Sequence, residues 1–260
     1  MYKKSPQEID LMQEGATILS QLLGELTLHV NPGITTRKLD NLAAQFMKQW
    51  GVQSSFKGYE GFPSVLCTSV NHAVVHGIPN EYVLQEGDII SIDCGVYHKG
   101  YHSDAAFTYI VGELANVKKE LVNLCLETEK VLELAVEKVA IGNRVGDIGY
   151  TISSLADQLG YNVVREYGGH GIGKKLHQLP HIPNFGARGN GIKIQEGMVV
   201  AIEPILTLES REVVEGTDKW KVYTKDDLPC AHFEHTVAVV DGKPKKLTTF
   251  EYIRQKIAKK

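Results

Sequence analysis

Four acids, Asp93, Asp104, Glu203 and Glu234, stand in stretches that are otherwise strongly apolar. Asp93 follows Ile89-Ile90-Ser91-Ile92, and Asp104 precedes Ala105-Ala106-Phe107. Glu203 closes the run Val199-Val200-Ala201-Ile202, and Glu234 stands between Phe233 and His235-Thr236-Val237-Ala238-Val239-Val240. Most aspartates are solvated loop acids, but these flanks argue for burial. A buried, unpaired carboxylate costs on the order of several kcal/mol even after relaxation. Four together cannot all stay ionised without cations, and two divalent ions would balance them, so the chemistry indicated is a two-metal site. A nitrogen ligand is available at His170, where Gly168, Gly169 and Gly171 would let a strand or tight turn approach the ions.

The elements that must carry these acids read as a doubled chain. Residues 89–96 form a strand, Lys99-Gly100 a turn, and residues 102–111 the returning strand, so a hairpin sets Asp93 and Asp104 on adjacent strands. Ahead of it, Ser5, Pro6 and Glu8 begin a helix with a capping box. Ile9, Met12, Ala16, Leu19, Leu22, Leu23 and Leu26 then recur at helical spacing until Asn31-Pro32-Gly33. A second helix presents Leu39, Leu42, Ala43, Phe46 and Met47 and ends at Gly51. After Asn116 the pattern returns, with an amphipathic run ending near Gly142 and a helix ending at Gly160. Gly33 and Gly142 lie 109 positions apart, as do Gly51 and Gly160. The stretch from Gln85 to Asp93 resembles that from Gln195 to Glu203 at an offset of 110. The expectation is one α+β domain over 1–260, with halves of roughly 1–112 and 113–260 whose strands share an antiparallel sheet.

Composition narrows the classes. The chain has 260 residues, 43% hydrophobic and 23% charged, which is ordinary for a globular protein and excludes disorder, collagen and coiled coil. Its 28 Lys and Arg against 31 Asp and Glu argue against nucleic-acid binding, specific DNA binding included, by bulk electrostatics. Cys67, Cys94, Cys125 and Cys230 form no C-x-x-C pair, which excludes an all-cysteine zinc site; Cys94 and Cys230 fall on the opposite strand face from the acids and read as core. No apolar run approaches the roughly 18 residues of a membrane span, and residues 1–10 lack a signal-peptide core, so a cytoplasmic protein is expected. Three motifs are decoys. Gly168 to Lys174 imitates a phosphate loop, but Lys175 stands where Ser or Thr is needed. His177-Gln178-Leu179-Pro180-His181 imitates a zinc-protease helix, yet Gln178 replaces the base and Pro180 breaks the helix. A G-x-S-x-G serine elbow is absent.

With Asp93, Asp104, His170, Glu203 and Glu234 in that order, the chain resembles the type I methionine aminopeptidases over nearly its whole length. The resemblance rests on Asn71…His76-Gly77-Ile78-Pro79, His102…Asp104, Gly169-His170-Gly171-Ile172-Gly173, Glu203-Pro204 and Glu234-His235-Thr236. It implies the pita-bread fold with pseudo-twofold halves. It also implies that Asp104 and Glu234 bridge two ions, that Asp93 chelates one, and that His170 and Glu203 hold the other. His76 and His177 match the family's substrate-contacting histidines, and Phe56, Tyr59, Phe62, Cys67, Leu176 and Trp220 match its pocket. Leu176 stands where an aromatic residue is common, and His232 where an amide is more usual. Glu203 and Glu234 are only 31 residues apart, too close for the type II insertion, and the N-terminus has no Cys/His cluster. A bacterial-type enzyme fits best.

Four carboxylates and one imidazole suit Mn, Fe(II), Co(II) or Zn better than copper or calcium. The implied reaction removes N-terminal methionine from nascent polypeptides, preferring a small second residue, through attack of a bridging hydroxide on the peptide carbonyl. Glu203 would shuttle the proton, His177 polarise the carbonyl oxygen and His76 steady the scissile nitrogen. Rival readings are a proline-directed relative, a silent binding module, and a ribosome-bound factor. The last draws on the basic tail Lys243, Lys245, Lys246, Arg254, Lys256, Lys259 and Lys260. The expected protein is a monomer, in transient contact with the ribosome and free of membrane.

Overall fold

Ser5 and Glu8 start the first helix as their spacing predicts: the Ser5 hydroxyl accepts the Glu8 N–H, and the Glu8 carboxylate accepts the Ser5 N–H. The computed structural model describes residues 3–259. The first half runs α1 (Pro6–Thr27), α2 (Thr36–Gln49), β1 (Gln53–Ser54), β2 (Leu66–Val70), β3 (Ala73–Val75), β4 (Ile89–His98) and β5 (Tyr101–Ile110). The second opens with α3 (Lys119–Val136), α4 (Val145–Leu159), β6 (Asn162–Val163), β7 (Gly168–Gly171) and β8 (Gln178–Pro183). It continues with β9 (Val199–Ile202), β10 (Ile205–Thr207), β11 (Val213–Glu215) and β12 (Val222–Thr224). It closes with β13 (Cys230–His232), β14 (His235–Val240), β15 (Lys243–Lys246) and α5 (Glu251–Ile257).

The repeat recurs in backbone detail. Gly33 and Gly142 both turn with positive φ, as do Gly51 and Gly160. Thr35 bridges Val83, and Arg144 and Lys193, 109 and 110 positions further on, bridge likewise. Leu84 N–H donates to Ile34 O, and Ile194 N–H to Asn143 O. Leu19, Leu22, Leu23 and Leu26 of α1 are buried, as are Leu39 of α2, Leu132 of α3 and Ile152 of α4, in a core that covers the helix-facing side of the strands. Each such side chain contributes about 1.5–3 kcal/mol by leaving water. The acids occupy the other side.

β4 and β5 form the expected hairpin around Lys99-Gly100, and β1 and β2 pair β4. In the second half five strands run in the order β15-β14-β9-β7-β8. Two devices join the halves. β12 pairs β3 with Val222 opposite Val75, a short antiparallel ladder shared by both halves whose register shifts between Val222 and Tyr223. Beside it, β5 meets β13 and β14 edge to edge, where Glu234 N–H donates to Ala106 O at 2.9 Å. There the Thr236 hydroxyl takes the Asp104 N–H and donates to its carbonyl, and Thr108 does the same for His232.

Some boundaries differ from expectation. α1 ends at Thr27, short of Asn31, and α3 at Val136, short of Gly142, with buried Val30 and Val139 fixing the connecting turns against the core. The apolar run through Glu203 is two strands, β9 and β10, because Pro204 has no N–H for a ladder. Glu234 likewise stands in the gap between β13 and β14. Both acids therefore sit at chain breaks facing the cleft, not within strands. Neither decoy acquires its helix: Gly168 to Lys174 is a strand and turn, and Gln178 opens β8. Among the described residues no helix is long and apolar enough to cross a membrane.

Candidate active site

The β4–β5 register places Asp93 opposite Ala106 and Asp104 opposite Gly95, so the two aspartates are diagonal neighbours on one face. Cys67, opposite Asp93 in β2, shares that face, whereas Cys94 points into the core. In the second half Ile202 pairs His235, which leaves Glu203 and Glu234 facing each other one step beyond the ladder. His170 is delivered by β7, whose Gly171 pairs Val200 of β9. The close approach needs glycine: a Cβ on Gly169 would stand 2.2 Å from Ala201 O.

These side chains converge at the floor of a cleft of about 570 Å³, and every residue expected of the site lines it. Asp104, His170 and Glu234 offer ligand atoms that all lie within 4.8 Å of one another. Asp93 and Glu203 flank that trio, with Glu203 Oε1 3.7 Å from His170 Nε2. Asp93 Oδ1 and Glu234 Oε1 are buried without a hydrogen-bond partner. Among the described residues no lysine or arginine lines the cleft.

Burial therefore dominates the electrostatics. It raises Asp93 to about 7 and Glu203 to about 8, the latter helped by the Asp93 charge. Asp104 and Glu234 rise well above the carboxylate range, through burial and then repulsion from the other acids. Burial also pushes His170 and His232 down to about 3. At neutral pH these imidazoles are uncharged, so the 4.0 Å approach of His170 to Asp104 is no ion pair. Acids held protonated and orphaned oxygens with no lysine or arginine to offset them are what divalent cations would relieve. The donors fit such ions.

Around the acids the wall is aromatic and apolar. Phe62 and Trp220 meet edge to face at 5.1 Å, and Phe56, Cys67 and Leu176 are buried beside them. Trp220 reaches this wall because the β3–β12 ladder folds the second half over His76. His76 has φ +57°, a conformation rare outside glycine, and its protonation is suppressed by burial. His177 is exposed at the mouth, and its Nδ1 lies 2.8 Å from the Tyr59 hydroxyl. The His170 and His177 rings stand edge to face at 4.3 Å. Sequence reasoning does not find Tyr167, whose ring lies edge-on to His76 at 5.6 Å; its one signal is its place just before Gly168-Gly169-His170. It treats His232 only as a departure, whereas the residue lines the cleft beside Glu203.

Known proteins resemble this chain in sequence and in fold. The profile of metallopeptidase family M24 matches residues 10–241. A methionine aminopeptidase of Clostridium acetobutylicum is 43% identical over 95% of this chain and 98% of its own. Methionine aminopeptidase 1 of Bacillus subtilis is 43% identical over 92% of this chain and 95% of its own. The crystal structure of the Thermotoga maritima methionine aminopeptidase superposes with a TM-score of 0.93 at 38% identity, covering 96% of this chain and 99% of that one. A prolidase from Pyrococcus furiosus shares the fold at 20% identity and a TM-score of 0.78, over 96% of this chain and 66% of its own.

Proposed function

The chain belongs to metallopeptidase family M24, and from that membership we propose that its cleft removes methionine from the free N-terminus of polypeptides, most readily when the second residue is small. It is a metal-dependent aminopeptidase of the pita-bread fold. The observation that carries the reading is the floor of the cleft: four buried carboxyls and an imidazole, with two orphaned oxygens and, among the described residues, no lysine or arginine. Asp104 and Glu234 would bridge a pair of ions, with Asp93 on one and His170 and Glu203 on the other. Such ions, of Mn, Fe(II), Co(II) or Zn, supply Lewis acidity, an anchor for the α-amine and a water acidic enough to ionise near neutral pH.

The remaining work falls to side chains. Phe56, Tyr59, Phe62, Cys67, Leu176 and Trp220 receive the methionine thioether in a narrow apolar pocket. Glu203 takes the proton of the attacking water and passes it to the leaving amine. With its Nδ1 held by Tyr59, His177 keeps Nε2 free to donate to the carbonyl oxygen as charge grows there. His76, fixed against Trp220 and Tyr167, steadies the scissile nitrogen.

The reading extends to one catalytic unit, since both halves build the cleft, acting as a cytoplasmic monomer on nascent chains. In the basic tail, Lys246 pairs Glu133, Arg254 pairs Glu129 and Lys256 pairs Glu25. Ribosome contact then rests on exposed Lys243, Lys245 and Lys259, with Lys260 outside the described residues; co-sedimentation with ribosomes tests it. The function itself is tested with Met-Ala-Ser and Ala-Pro. Free methionine should appear from the first, and the second should survive. Cleavage of Ala-Pro alone would make the protein a proline-directed enzyme.

A further inference from the structure

Glu203 lies between two imidazoles. Its Oε1 is 3.7 Å from His170 Nε2, and its Oε2 is 3.8 Å from His232 Nε2. His232 stands at the end of β13, opposite Ile205, and only 2% of it is exposed. Its backbone is pinned on both sides by the Thr108 hydroxyl, at 2.9 Å to the N–H and 2.7 Å to the carbonyl. Yet its Nε2 is buried with no hydrogen-bond partner. Leaving a buried polar atom unmet costs about 1–3 kcal/mol, so a rigidly held orphan nitrogen calls for a partner in the working enzyme.

We propose that His232 is a positioning residue for Glu203: its Nε2–H donates to Glu203 Oε2 when Oε1, on the His170 side, is committed to a divalent ion. This rests on the metal reading of the cleft given above. An ionised carboxylate carries no proton, so the hydrogen must belong to the imidazole, which fixes the tautomer with Nε2 protonated. The bond settles which Glu203 oxygen faces the ions and holds the carboxylate in one rotamer. Partners of this kind behind a ligand are typically worth about 10–100-fold in metal affinity or activity.

The test compares His232→Leu and His232→Gln with the unsubstituted protein, each stripped of metal and titrated calorimetrically with Co(II). A glutamine amide nitrogen reaches the position of imidazole Nε2 and can donate; leucine cannot. The leucine variant should bind Co(II) about 10–100-fold more weakly, with an altered Co(II) visible spectrum, while glutamine restores both. Leucine binding as tightly as histidine, or glutamine as weakly as leucine, overturns the proposal. Should the leucine variant not fold, the 15N spectrum of the unsubstituted Zn(II)-loaded protein decides: a proton on His232 Nε2 is required, and its absence is fatal. If the unsubstituted protein binds no Co(II), the metal reading falls and takes this role with it. Normal binding with indifferent variants removes His232 alone.

Discussion

Asp104 and His177 lie in one cleft and should fail in different ways. Asp104 is buried among like charges, and its side chain is one of the trio that converges within 4.8 Å. Asp104→Asn keeps the shape but removes a ligand charge, so bound metal and turnover should be lost together. His177 touches Tyr59 and His170 from the mouth of the cleft and holds no ion in this reading. His177→Ala should therefore keep its metal and nearly its KM while kcat falls about 10²–10³-fold, the usual loss for one donor to a developing oxyanion. Metal analysis beside steady-state kinetics separates the two. A metal-free His177→Ala protein, or an Asp104→Asn protein with full metal and turnover, would reverse these roles.

Among the elements, β7 is the most exacting, because it carries His170 past β9 with no room for a side chain. Gly169→Ala must push Ala201 O away, and His170 moves with the strand. Overpacking of this kind costs about 1–3 kcal/mol. A lowered Tm together with weakened metal binding is expected; an unchanged metal affinity would show that β7 does not set the ligand position. Much of this architecture is legible in sequence because local physics dictates it. The Ser5–Glu8 box, the Lys99-Gly100 turn and the glycine echoes at 109 residues each predict what is found. Acids set in apolar runs announce the site. What sequence leaves hidden is non-local: the β3–β12 ladder that brings Trp220 to His76, and the edge meeting of β5 with β13 that seats His232 beside Glu203. The break at Pro204 is visible as a residue type, but its consequence is seen only once two strands diverge from it.

The molecule as a whole stores repulsion that pH should reveal. Burial carries Asp93 from 3.8 to about 7 and Glu203 from 4.5 to about 8 when no cation is bound. The folded state then keeps protons that the unfolded chain has released, so these groups make stability fall as pH rises through that interval. His170 and His232, lowered from 6.5 to about 3, act in the opposite sense below pH 6.5 and add nothing above it. From pH 6.5 to 8 the metal-free protein should thus lose Tm steadily, while the rise in Tm on adding Mn(II) grows as fewer protons must be displaced. Melting curves in chelator and in Mn(II) across that range check the sign; a metal-free Tm that climbs with pH would mean the carboxyls are not buried together. The most direct test of the account is the rate of methionine release from Met-Ala-Ser as Mn(II) is added stepwise to metal-stripped protein. Two ions in one acid cluster predict no turnover without metal and a rate that saturates by two equivalents of bound Mn(II). Undiminished methionine release from the fully stripped protein would contradict it.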